Sequence, residues 1–178
     1  RLLSYGVTGV RDMASPLDGI LRLRRETAAG LGTGPSIVAA GPILQRPLPF
    51  ALPPLVRTVA DTDAATTVTE LRTKGVDFIK VGDTLTRAAY VSIAAEARRS
   101  RLPFAGHLPA DVTAAEASDA GQRSIEHFGS AVFRGLLLAS SRDEAALSAV
   151  TSAALASALG GGAPPDVTLT EPDFANRL

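Results

Sequence analysis

A lysine and two histidines carry the chemistry that this sequence offers. Lys80 interrupts the apolar run GVDFIKVG (75–82), His107 closes LPFAGH (102–107), and His127 stands near the end of RSIEHF (123–128); the 178 residues hold no other histidine. A buried ammonium is strongly penalised unless it is paired, modified or bound, so a lysine in such a run has a task or a route to water. Neutral imidazole nitrogens suit a divalent cation, and a hard oxygen donor would complete the set. The ammonium itself is no ligand. Addition of carbon dioxide to the neutral amine gives a carbamate, an oxygen donor able to bridge two metals.

Taken singly, each residue has a plainer reading. A strand-end histidine is more often a hydrogen-bonded structural residue than a ligand, and a strand-end lysine more often reaches solvent or pairs with an acid, here Asp77 or Asp83. Their shared placement argues for a site. The three stand 27 and 20 residues apart, about one strand–helix unit each, at the carboxyl ends of successive strand-like runs. Neighbouring strands lie roughly 4.8 Å apart, so side chains from three adjacent strand ends can converge on one point.

The elements that must position them follow from pattern and punctuation. Residues 6–13 and 36–40 read as strands, with a helix between them that begins at Ser15 and Pro16 and stops at Gly30. The Pro-rich stretch 42–57 reads as an irregular surface loop over one end of the fold. Residues 61–74 read as a capped helix. Strand 76–81, helix 86–100, strand 102–107, helix 111–121 and strand 123–128 then alternate cleanly. Such alternation argues for parallel strands with right-handed crossovers, in an open doubly wound sheet or part of a (β/α)8 barrel. In both, functional side chains come from the carboxyl ends of the strands. Beyond Phe128 the pattern weakens: 134–140 is apolar, 142–160 reads as an alanine-rich helix, and 160–165 as a flexible loop.

Bulk composition narrows the partners. The length is that of one domain, 46% of residues are hydrophobic, and only 4% are aromatic, so the core is built from Ala, Val, Leu and Ile. Lysine plus arginine equals aspartate plus glutamate at 18 each, which gives no electrostatic reason to expect nucleic acid or an anionic membrane as partner. With no cysteine, thiolate metal sites and disulfides are excluded, and any metal must take oxygen and nitrogen ligands. No apolar run approaches a membrane span and no signal-peptide pattern opens the chain, so cytoplasm and periplasm both remain open. The chain starts on Arg1 and stops within TEPDFANRL, and we expect a fragment.

GVTGVRDM, GPSIVAAGPIL, GVDFIKV, LPFAGH and above all AGQRSIEHFGS resemble the amidohydrolase superfamily, in particular hydrolases similar to imidazolonepropionase and to prolidase-type dipeptidases. The resemblance runs from about residue 5 to 140. It implies a distorted (β/α)8 barrel of which strands 2 to 6 are present, in a single truncated domain over 1–178. It further implies a metal-activated water that hydrolyses a C–N bond in an amide, lactam or dipeptide. Lys80 corresponds to the carbamylated lysine that bridges the metals, His107 to the ligand from strand 5 and His127 to the ligand from strand 6. The cofactors implied are one or two divalent ions, zinc by default, with carbon dioxide held as the lysine carbamate. The partner implied is a small-molecule substrate, with a homo-oligomer possible.

The departures from that pattern are specific. The family's H-x-H pair from strand 1 does not occur, nor does a recognisable strand 8 aspartate to serve as general base, so no catalytic residue is identified within the chain. On its own the fragment is expected to be inactive and prone to aggregation, and the alternative reading is a noncatalytic barrel remnant or small-molecule binding module. Other motifs weigh less. GLGTGP (30–35) follows a helix and precedes a strand, the reverse of a dinucleotide fingerprint. Glu126 falls on the strand face opposite His127 and reads as structural or as an outer support of the site. Arg11 and Asp12 read as a structural pair near the pocket rim.

Overall fold

A computed structural model describes residues 1–47 and 54–126, which fall in one compact unit, Arg1–His127. In chain order its elements are β1 (Gly9–Asp12), α1 (Leu17–Ala28), β2 (Ser36–Ala39), β3 (Ile43–Gln45), β4 (Val56–Thr58), α2 (Ala64–Lys74), β5 (Ile79–Val81), α3 (Arg87–Arg99), β6 (Phe104–Gly106) and α4 (Ala114–Ala120). Single 3-10 turns at Leu3–Tyr5 and Asp61–Asp63 precede β1 and α2. Every strand pair is parallel.

The strands form two hydrogen-bonded groups, β1–β2 and β4–β3–β5–β6. They belong to one continuous layer because β2 and β3 are halves of a broken strand. The break is at Gly41, whose φ of +72° is a left-handed conformation that favours glycine. Below it, β2 pairs with β1; above it, β3 pairs with β4 on one side and β5 on the other. The Asp77 amide donates to the Ala39 carbonyl at 2.8 Å, which ties β2 to the entrance of β5. A single parallel bridge, Gly106 to Ile125, carries the layer one step past β6.

The helices form where their ends are satisfied. The Thr86 hydroxyl accepts the Ala89 amide at the start of α3, and Thr113 with Glu116 makes a reciprocal capping box on α4. Packing of α2 and α3 on the sheet excludes water from Val68, Leu71, Tyr90 and Ile93 and from Leu44, Ile79 and Val81 on the strands. The opposite face of the layer holds a second cluster of Ala40, Phe78 and Ala105, with Met13 against it.

The parallel strands and crossover helices expected from the alternation are present. Three local readings change. Ser15 does not cap α1; its hydroxyl donates to Asp12 Oδ1 at 2.5 Å. The Pro-rich excursion is a crossover whose two ends pair as β3 and β4, so it extends the sheet rather than merely lying over it. Strand 123–128 is reduced, within the described residues, to the bridge at Ile125. The readings for 134–140, 142–160 and 160–165, and the middle of the excursion at 48–53, lie outside the described residues. Among those described, no helix is long and apolar enough to cross a membrane.

Candidate functional site

Lys80 is the middle residue of β5 and is only 2% exposed. Its strand is flanked by β3 and β6, with Lys80 in register with Ile43 on one side and Ala105 on the other. These two apolar neighbours cannot solvate an ammonium, and burial pushes the Lys80 pKa below its ordinary value. Glu126 and Asp83 oppose that shift and Arg11 adds to it, which places all three charges around the amine. Asp77, one of the acids the sequence offered as a partner, is engaged elsewhere: it accepts from Arg24 at 2.5 Å and from the Ala39 amide at 2.8 Å.

His107 follows directly on β6, where its amide donates to the Val81 carbonyl at 2.9 Å. The imidazole is therefore one strand away from Lys80, toward the carboxyl edge. The two strands approach so closely at Gly106 that a Cβ there would sit 2.1 Å from the Val81 oxygen, and the glycine's φ is +142°. His107 is about a quarter exposed, and its Nδ1 lies 4.0 Å from Asp83 Oδ1. Asp83 thus borders both Lys80 and His107.

A second set of side chains closes the cluster from β1 and the segment after α4. Arg11 Nη2 pairs with Glu126 Oε1 at 2.8 Å, Arg11 Nη1 donates to Ser124 Oγ at 3.2 Å, and Ser124 Oγ donates to Glu126 Oε1 at 2.6 Å. The guanidinium also lies 5.8 Å from the centre of the Phe78 ring. Burial by itself would raise the Glu126 pKa, but the Ser124 hydroxyl, Arg11 and Lys80 together outweigh it and hold the carboxyl below its ordinary value. Asp12 does not pair with Arg11. One of its oxygens takes the Ser15 hydroxyl, and Oδ2 is buried with no hydrogen-bond partner among the described residues.

The structure thus brings Lys80, in the middle of β5, and His107, two register positions further on past the end of β6, onto adjacent strands, while His127 lies outside the described residues. Glu126, whose place beside His127 had read as structural or outer support, lies near enough to Lys80 for its charge to favour the ammonium. Arg11 and Glu126 were missed as neighbours of Lys80. No local pattern signalled them, because Arg11 and Glu126 are 115 residues apart.

The donor chemistry here suits a divalent cation in part. An imidazole and a carboxylate stand beside an amine whose burial favours the neutral form that carbon dioxide requires. The described residues hold no group of three His, Asp or Glu side chains able to cage a metal, so a full ligand set needs the lysine as an oxygen donor and ligands from outside them.

No family model matches the sequence, and no curated protein matches it. Solved structures do match. Bottromycin amidohydrolase is 27% identical with a TM-score of 0.63, over 71% of this chain and 28% of that one. A prolidase complexed with N-methylphosphonate-L-proline is 25% identical with a TM-score of 0.55, over 71% and 38%. A Xaa-Pro dipeptidase with methionine bound in its active site is 17% identical with a TM-score of 0.56, over 96% and 49%. The chain therefore spans less than half the length of each. The resemblance read from the sequence motifs is borne out by these matches, and among the described residues the sheet does not close on itself. By fold, the chain is part of a (β/α)8 barrel of the amidohydrolase type.

Proposed function

We propose that the chain belongs to a hydrolase of C–N bonds in an amide, lactam or dipeptide, with Lys80, His107 and His127 directed at a common divalent cation, zinc by preference, and Lys80 present as its carbamate. The observation that carries this reading is a lysine 2% exposed in the middle of a parallel strand, one strand from His107. The names of the solved relatives, which include an amidohydrolase, a prolidase and a Xaa-Pro dipeptidase, support the same class.

In this reading β5 and β6 hold the amine and the imidazole at fixed separation, and the apolar cluster of Phe78, Ala105 and Ala40 keeps water from beneath them. Asp83 stands 4.0 Å from His107 Nδ1. Arg11, held by Glu126 and Ser124, supplies positive charge near the carbamate. A bound divalent cation would supply Lewis acidity toward the scissile carbonyl and lower the pKa of a water molecule.

A second reading has its own support: Glu126 and Asp83 both favour the ammonium form of Lys80, the form it would keep in a noncatalytic binding module. One experiment separates the two. Protein carrying this chain is prepared with zinc and 13C-bicarbonate, then assayed for metal content and for a carbamate carbon resonance. Both are expected in the wild type and both are expected to be lost in Lys80→Ala. Equal metal content in the variant, or no carbamate signal in the wild type, would count against the proposed role.

A further inference from the structure

The seam between β6 and the segment that follows α4 is short, because β6 has only three residues. Among the described residues three backbone hydrogen bonds cross it: Arg123 N–H to the Phe104 carbonyl at 2.9 Å, Gly106 N–H to the Ser124 carbonyl at 3.2 Å and Glu126 N–H to the Gly106 carbonyl at 2.8 Å. Yet this seam joins His107 to the residues that surround Lys80. One side chain reinforces it. The Gln122 amide nitrogen donates to the Ser124 carbonyl at 3.0 Å, the Gly106 carbonyl at 3.1 Å and, at 3.4 Å, the carbonyl of His107 itself.

The orientation of that amide is fixed by its other end. Tyr90 Oη donates to Gln122 Oε1 at 2.8 Å, and burial pushes the phenol pKa well above its ordinary value, so it keeps its proton. A flipped amide would set its oxygen against three carbonyl oxygens, with nothing to donate to them. The Tyr90 ring is fully buried and packs edge-on against Phe104 of β6, with ring centres 5.9 Å apart. Helix α3 therefore anchors the phenol, the phenol anchors the amide, and the amide gathers three carbonyls from both sides of the seam.

We infer that Gln122, oriented by Tyr90, is a positioning residue that locks the His107 backbone against the segment carrying Glu126, and so sets the separation of the imidazole from the Lys80 cluster. This rests on the proposed site for its consequence in metal binding, but not for the clamp itself. Outer groups that orient metal ligands by hydrogen bonding to their side chains commonly change metal affinity about tenfold or more when removed, and a backbone clamp acts on the same orientation one step back.

The test uses Gln122→Met, which keeps the volume and loses the donors, and Tyr90→Phe, which loses only the hydroxyl. Zinc affinity is read by competition with a chelator well below the unfolding temperature, and exchange of the Gly106 and Glu126 amides is followed by NMR. Gln122→Met is expected to bind zinc about tenfold more weakly and to exchange both amides faster, with Ile43 and Val59 of the β3–β4 pair unchanged. Tyr90→Phe is expected to move both readouts the same way by less. Faster exchange with unchanged zinc affinity would overturn the positioning role. Unchanged exchange at Gly106 and Glu126 would overturn the clamp. A wild type that binds no zinc would sink the proposed function, and the exchange readout would still decide the clamp.

Discussion

Two parts of the same parallel sheet are built to different standards. In β3, β5 and β6 almost every residue is buried on both faces, by α2 and α3 on one side and by Phe78, Ala40 and Ala105 on the other. In β1 and β2 burial alternates, and Val38 is 47% exposed. The candidate site divides along the same line. Lys80 and His107 stand on the packed strands, whereas the exposed ribbon contributes Arg11, whose long side chain reaches Glu126 from a strand with no direct pairing to β5. Residues that must be held to within fractions of an ångström sit where packing fixes the backbone, and the one that supplies only charge sits where it does not.

The largest effect should come from adding a methyl group at the close approach of β5 and β6. Gly106→Ala sets a Cβ 2.1 Å from the Val81 oxygen, and Gly9→Ala on β1 meets only the Ser36 hydroxyl, at 3.2 Å. The first is expected to cost about 4 kcal/mol or more and the second under about 0.5 kcal/mol, measured by urea unfolding. Similar costs for the two would remove the contrast between the regions.

Side-chain truncation sharpens the contrast at the next level down. Leu44 on β3 is fully buried, and Leu44→Ala should destabilise by about 2–5 kcal/mol because the cavity cannot collapse between sheet and helices. Val38→Ala on the ribbon should stay within about 0.5 kcal/mol. A Val38→Ala cost approaching that of Leu44→Ala would show that the ribbon's inner face is covered in solution.

How much of this the sequence revealed follows the same division. The β5–α3–β6–α4 run was legible because its strands are short apolar segments, interrupted only by Lys80, and its helices carry their own caps at Thr86 and Thr113. From it came the placement of Lys80 and His107 on neighbouring strands. The β3–β4 pair was not legible, because Gly41 and Pro42 read as a strand end. In fact the left-handed turn at Gly41 lets one strand change neighbours and continue. The neighbours of Lys80 were hidden for a different reason. Charge partners from Arg11 and Glu126, 115 residues apart, depend on tertiary closure that local pattern does not encode.

The smallest effects test whether those three charges act together. Because the fold lowers the Lys80 pKa from 10.5, the unfolded chain binds more protons between the folded value and 10.5, so stability rises with pH across that window. Arg11→Met removes a cation that disfavours the ammonium. The Lys80 pKa should rise toward its ordinary value and the window should narrow. Glu126→Gln removes an anion that favours the ammonium, so the pKa should fall further and the window widen. Neither substitution touches burial, the largest cause, so in both variants Lys80 should still titrate below an ordinary lysine. Side-chain nitrogen NMR of Lys80 reads the shifts directly, and the pH dependence of the urea midpoint reads the window. Shifts of the same sign in the two variants would mean that Arg11 and Glu126 do not flank the amine as opposing charges, and that the exposed ribbon contributes nothing to the electrostatics of the packed strands.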